Sequence, residues 1–275
     1  MQDHYKIGIG IITCDRPEFY IKGAESICKI LDNHSQIYGV VIDDGKIPVK
    51  KLPQLHYIKT EGKIGVGKAK NLALKFLMDN GCDYLFLLED DIEILDEKIF
   101  SLYIEASIST GIKHFNFGLH GNHNLGQDGL PQIRKSFNYP DGTIVDLYPN
   151  LLGALSFFTR EVIENVGYID ESYYNALEHV DHTFQIIQKN YHPPFRWFAD
   201  IHNSSQYIKD IITDHKESVI RSEKDFLENF KKNLDIFISK NNFSVSPNYG
   251  PPEKLVSYEE TILKLKEIWK LAHQK

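Results

Sequence analysis

Asp83-Tyr84-Leu85-Phe86-Leu87-Leu88-Glu89-Asp90-Asp91 is an apolar run that stops abruptly at three acids. Tyr84 to Leu88 are five consecutive hydrophobic residues, the pattern of a strand buried on both faces. Carboxylates at the carboxyl end of such a strand stand where open α/β sheets bind ligands. Three adjacent acids repel one another unless a cation or a donor-rich ligand compensates them. A hard divalent cation, sharing one or two of these carboxylates with a phosphate, is the natural compensation. The bland alternative is an exposed acidic turn ahead of a helix that starts near Asp96.

Strand and helix signals alternate on both sides of this run. Lys6 to Thr13 reads as a buried strand. Asp15-Arg16-Pro17 then reads as a helix start, with Asp15 as cap and proline in the first turn. Ile37 to Ile42 and His56 to Ile58 are further strands, the first of them ended by Asp43-Asp44-Gly45. Gly65-Val66-Gly67 opens a helix that runs through Met78 and stops at Asn80-Gly81. Such alternation predicts an α/β fold with a mainly parallel sheet and right-handed crossovers. Asn116 to Asp141 is polar and glycine-rich, contains His120 and His123, and follows His114; long loops of this kind are often lids or binding loops. Gly153 to Thr159 and Phe195 to Ile201 read as strands, and Arg160 to Val166 and His179 to Asn190 as helices.

From Glu217 the pattern changes to long helices. Ser222 with Asp225 resembles a capping box, and so does Ser257-Tyr258-Glu259-Glu260. Phe226, Phe230, Leu234, Phe237 and Ile238 form one apolar face, and Ile262, Leu265, Trp269 and Ala272 a second. The expected organisation is one α/β domain over 1–215 and a helical extension over 216–275. The two helices either cover the core or dock on a partner or a membrane surface.

The 275 residues carry a net charge of -7. That excludes the broad basic field that nucleic acid binding requires. Apolar runs fall short of the ~20 residues of a membrane helix, and the N-terminus has no secretory signal, so a cytoplasmic location is expected. Cys14, Cys28 and Cys82 are widely spaced, odd in number and without zinc-site spacing, which suits a reducing compartment.

Taken in order, these motifs resemble those of nucleotide-sugar-dependent glycosyltransferases of the GT-A fold, in particular family 2, from about Lys6 to Ser204. Thr13-Cys14-Asp15-Arg16-Pro17 is similar to the family's entry to the nucleotide pocket, with Asp15 where asparagine is usual. Val40-Val41-Ile42-Asp43-Asp44-Gly45 is similar to its second strand, whose acid recognises uracil or ribose. Gly65-Val66-Gly67-Lys68-Ala69-Lys70-Asn71 resembles the Gly-x-x-x-Ala-Arg-Asn helix start, with Lys70 in place of arginine; a helix N-terminus beside a cation favours a diphosphate. Glu89-Asp90-Asp91 matches the Asp-x-Asp motif, which implies Asp91 as ligand of Mn²⁺ or Mg²⁺ and Glu89 on the ribose or on the metal through water. Gly153 and Ala154 match the small pair that lets donor sugar and acceptor approach the backbone. Glu178-His179-Val180-Asp181 stands where the family has Glu-Asp-x-Asp, so the usual base position is His179.

The resemblance implies a metal-dependent, inverting transfer of a hexosyl or N-acetylhexosaminyl group from a UDP-sugar to a saccharide acceptor, in capsule, lipopolysaccharide or other surface polysaccharide synthesis. Histidine titrates near neutrality and suits a general base, yet Glu178 and Asp181 stay open as alternatives. His202, in Asp200-Ile201-His202-Asn203-Ser204, is implied as a further metal ligand, and imidazole favours Mn²⁺. His114, His120, His123, His182, His192 and His215 take the structural or surface reading. A sugar nucleotidyltransferase and a non-catalytic saccharide-binding protein are the rival functions. Peripheral membrane or biosynthetic-complex association through the C-terminal helices stays open.

Overall fold

The computed structural model describes residues 5–211, 224–246 and 248–274. Its centre is a six-stranded sheet in the order β3-β2-β1-β4-β9-β6. The strands are β1 (Ile7–Thr13), β2 (Ile37–Asp43), β3 (His56–Lys59), β4 (Tyr84–Glu89), β6 (His114–Asn116) and β9 (Leu155–Thr159). β3, β2, β1 and β4 run parallel, while β9 is antiparallel to both β4 and β6. The mixed but mainly parallel α/β sheet is the fold class that the alternating pattern predicts.

Alternation along the central strands divides the core. Phe86 and Leu88 of β4 join Ile7, Ile9 and Ile11 of β1 on one face. That face is covered by α1 (Pro17–Leu31) and α3 (Lys98–Thr110). Leu85 and Leu87 point the other way, with Val40 and Ile42. This second face is covered by α2 (Val66–Asp79), α4 (Arg160–Val166) and α5 (Glu178–Gln188). Apolar runs without polar alternation thus belong to strands with a helix layer on each side. The carboxyl ends of β1, β2 and β4 all open on the same edge, bringing Thr13, Asp43 and Glu89 into one row.

Several local expectations change. Asp15 is not the cap of α1: it sits at φ +57°, its side chain turns to the loop after β2, and Arg16 takes the N-cap position ahead of Pro17. Phe195 to Trp197 is a turn, with Arg196 at φ +70°, and only β10 (Phe198–Ile201) is strand. The polar middle region ends in β7 (Lys135–Asn138), which pairs as a hairpin with β8 (Ile144–Tyr148) just beyond it, and β10 extends the pair to three strands. Just past the acids, β5 (Ile92–Ile94) pairs antiparallel with β11 (Ile208–Asp210).

The C-terminal helices are α6 (Phe226–Asn241) and α7 (Tyr258–His273). Leu234 and Phe237 of α6 cluster with Tyr173 and Leu177, ahead of α5. Ser257 and Glu260 form the expected capping box of α7. The buried seam of α7 is Thr261, Leu265 and Ile268, whereas Ala272 is exposed. Ser222 and His215 lie outside the described residues. Among the described residues no helix is long and apolar enough to cross a membrane.

Candidate active site

The strand ends form the floor of a cleft of about 400 Å³. Its lining includes Arg16, Asp44 and Lys63, the acids Glu89, Asp90 and Asp91 with His120, and Glu178 and His179 with Gly153 and Ala154. Phe195, Phe198, Phe226 and Phe230 give the same cleft an apolar part.

The acids following β4 have three different environments. Asp90 is 1% exposed and accepts the Thr13 hydroxyl at 2.8 Å. Arg16 bridges two carboxylates, with Nη2 on Asp90 Oδ1 and Nη1 2.9 Å from Asp91 Oδ2. Burial pushes Asp90 up to about 7; Arg16 opposes the shift and the Asp91 carboxylate adds to it. Asp91 is also raised by burial. Its Oδ1 is buried without a hydrogen-bond partner. Ligand atoms of Glu89, Asp91 and His120 lie within 4.8 Å of one another. Two carboxylates and an imidazole make an oxygen-and-nitrogen donor set that suits Mn²⁺ or a similar divalent ion. The orphaned Asp91 oxygen is the atom such an ion would satisfy. His120 comes from the polar loop after β6, and its Nδ1 lies 3.2 Å from Asp210 Oδ2 at the end of β11. Burial works against its charge, but Asp210, Asp91 and Glu89 outweigh it and hold the ring up to about 9.

His202, expected as a metal ligand, stands elsewhere. Its Nδ1 is 2.9 Å from Asp146 Oδ2, its side chain is 41% exposed, and it is in neither the cluster nor the cleft wall. Asp146 is on β8, so β8–β10 pairing draws His202 to the small sheet. His120, first read as structural, is the histidine beside Glu89 and Asp91; only the path of the loop reveals it.

The residues matched to the nucleotide pocket are closely tied to one another. Asp43 accepts from the Tyr57 hydroxyl, from Lys59 Nζ at 2.9 Å and from the Gly45 amide at 3.1 Å. Asp44 accepts from Thr60 Oγ1 and the Ile64 amide, both at 2.8 Å, and from the Gly65 amide at 3.0 Å. Asp15 Oδ1 takes the Lys46 and Ile47 amides, and Lys63 Nζ lies 3.1 Å from its Oδ2. These acids therefore shape the rim, and of Asp43 and Asp44 only Asp44 lines the cleft. Asn71 clamps the segment before α5: its Oδ1 accepts from the Ile169 amide, and its Nδ2 donates to Ile169 O and to Glu171.

Lys70 is 2% exposed, with Nζ 3.1 Å from Glu89 Oε1, 3.3 Å from Glu178 Oε1 and 3.3 Å from Gly153 O. Its ammonium is thus buried between the two acids instead of presented at the cleft surface. Burial would lower its pKa, yet Glu89 and Glu178 reverse that and raise it. Glu178 is held well below the usual carboxylate range: its neighbours His179 and Lys70 overcome a burial cost that acts the other way.

Glu178, His179 and Asp181 diverge. Glu178 Oε1 lies 3.1 Å from His179 Nδ1, and His179 is the most open of the three, at 25% side-chain exposure. Gly153 lets the ring sit against the backbone, since a Cβ there would be 3.2 Å from His179 Nδ1. Asp181 turns away from the cleft to α6, 2.6 Å from Lys240 Nζ and 3.1 Å from Asn241 Nδ2.

No model of a known protein family matches the chain. Over 219 residues it is 25% identical to the uncharacterized glycosyltransferase R363 of Acanthamoeba polyphaga mimivirus, an alignment spanning 75% of this chain and 81% of that protein. Over 153 residues it is 24% identical to the low-salt glycan biosynthesis hexosyltransferase Agl10 of Haloferax volcanii, spanning 50% of this chain and 47% of that one. The structure of S. aureus TarS 1-349 in complex with UDP-GlcNAc superposes with a TM-score of 0.51 at 12% identity, covering 98% of this chain and 73% of that one. At that identity the likeness is one of fold. Architecture and relatives together place the chain among the glycosyltransferases of the GT-A fold.

Proposed function

We propose that the protein transfers a sugar from a UDP-sugar to a saccharide hydroxyl, with inversion and with a divalent metal, in the synthesis of a surface polysaccharide. The observation that carries this reading is one cleft lined by both the Glu89–Asp91 acids and the Glu178–His179 pair. The UDP-GlcNAc complex of TarS and the hexosyltransferase name of Agl10 support the substrate class.

In this scheme His179 is the general base. Glu178 accepts from Nδ1–H and so leaves Nε2 to take the acceptor proton. Lys70 keeps Glu178 ionised, which stabilises the imidazolium once the proton arrives. The acceptor oxygen forms its bond to the anomeric carbon as the bond from that carbon to the diphosphate oxygen breaks, and UDP departs with the electron pair. Asp91 and Glu89 would hold a divalent cation, which would supply charge stabilisation for the leaving diphosphate. Lys63 and Arg16 line the same cleft and add positive charge to it. Asp181 serves instead as an anchor for α6.

Calorimetric binding of UDP with Mn²⁺, repeated with the metal chelated, tests the donor site. Saturable binding that vanishes on chelation is the expected result, followed by turnover with one of a panel of UDP-sugars and an inverted product. Absence of UDP binding in both conditions overturns the choice of nucleotide. Release of pyrophosphate from a nucleoside triphosphate and a sugar phosphate overturns the transferase reading. A cytoplasmic site of action beside the membrane, where lipid-linked acceptors are found, belongs to the same proposal.

A further inference from the structure

We infer that His120 is the third protein ligand of the divalent cation and that Asp210 is the positioning residue that aims it. The inference rests on a cation binding at the acids after β4, and it adds a ligand from a loop outside every motif read in the sequence. Three observations converge. Ligand atoms of His120, Glu89 and Asp91 lie within 4.8 Å of one another. Asp91, 1% exposed, has a buried Oδ1 with no hydrogen-bond partner. Asp210 Oδ2 stands 3.2 Å from His120 Nδ1, an ion-pair contact short of a well-aligned hydrogen bond, and with Nδ1 facing Asp210 the Nε2 would be the nitrogen for a cation. A carboxylate behind the far nitrogen of a metal-binding histidine fixes the tautomer and the ring orientation.

The fold explains why Asp210 is in place. β11 pairs with β5 so that Asp210 faces Ile92, the residue directly after Asp91. Asp210 Oδ2 also accepts the Gly121 amide, so one carboxylate holds the backbone next to His120 and stands beside the histidine ring. Ile211 N donates to Asp91 O at 2.8 Å, tying the strand end to the ligand itself. The cation would therefore join three separate segments: the end of β4, the loop after β6, and β11 through Asp210. His202 lies outside this arrangement, paired with Asp146.

The test is Mn²⁺ binding followed by electron paramagnetic resonance, with Mn²⁺ alone and then with UDP, on the full chain and on four variants. His120→Ala should weaken Mn²⁺ at least tenfold, and Asp210→Asn by about tenfold, the usual effect of losing an orienting partner. His202→Ala should match the parent. His120→Asp, which restores an oxygen ligand, should recover part of the affinity and shift preference from Mn²⁺ toward Mg²⁺. Thermal melts identify any variant that fails to fold, and His120→Asp then carries the comparison. Parent-like Mn²⁺ affinity in His120→Ala overturns the inference, as does an equal loss in His202→Ala. Failure of UDP to bind, with Mn²⁺ still lost in His120→Ala, overturns the nucleotide reading and leaves this one standing.

Discussion

His179 and Asp181 are two positions apart on one helix, yet their surroundings assign them different work. His179 opens on the cleft, and Asp181 keeps only 2% of its side chain exposed against Lys240 of α6. His179→Ala should therefore lower kcat by about 10²–10⁴-fold, the usual loss of a general base, while calorimetric UDP affinity stays at the parent value. Asp181→Asn should do the reverse. Turnover per folded molecule should hold, while urea unfolding reports a loss of about 1–2 kcal/mol, since the pair is buried on one side only. A collapse of turnover in well-folded Asp181→Asn, with His179→Ala active, would reverse the assignment. Lys70 is the residue on which both halves of the site depend. Lys70→Met leaves Glu89 and Glu178 buried without their shared cation, at a cost of about 3–5 kcal/mol in urea unfolding. A neutral result would mean that water or another group already compensates the two acids.

At the scale of elements, the acids are held by the contact between α1 and β5. A Cβ at Gly23 would fall 2.4 Å from the Ile92 carbonyl oxygen, a backbone atom that cannot swing aside as a side chain would. Gly23→Ala should push α1 off β5, cost about 1–3 kcal/mol as overpacking does, and weaken Mn²⁺ by displacing Asp91. Urea midpoints and Mn²⁺ titration of the variant check both effects; parent-like values would show that the contact does not position the acids. The same strands mark the limit of what the sequence discloses. The long buried strands and helices α1, α2, α4 and α5 are written in local periodicity, and the acids at the end of β4 in the abrupt stop of its apolar run. β5 and β11 have three residues each, and neither has a signal until the other is beside it. His120 and Asp210 are 90 positions apart in the chain and meet only through that pairing. For the same reason the motif around His202 suggests a metal ligand, although β8 claims that histidine for Asp146. Lys70 was legible as a cation near the site, but its burial between two acids depends on α5 packing across α2.

For the molecule as a whole, stability against pH is set by buried groups of opposite sign. His182 and His192 are 3% and 2% exposed, and burial lowers each from 6.5 to about 4. Both rings are held in neutral hydrogen bonds, His182 to Gly167 O at 2.9 Å and His192 to Pro193 O at 2.8 Å. Between pH 6.5 and 4 the unfolded chain takes up these protons and the folded chain does not, so acidification favours unfolding. Asp90, raised from 3.8 to about 7, acts in the other direction: its folded form holds the extra proton, so its contribution falls as pH rises through that interval. Opposed slopes flatten the parent curve, and the histidine share is legible only as a difference. His192→Gln cannot titrate. The stability of the parent minus that of the variant should therefore shrink as pH falls from 6.5 to 4, by up to about 3 kcal/mol at one pKa unit per 1.36 kcal/mol. Urea unfolding of both proteins across that range measures it. A difference independent of pH would mean that His192 is protonated in the folded protein, and that its bond to Pro193 O is made by an imidazolium.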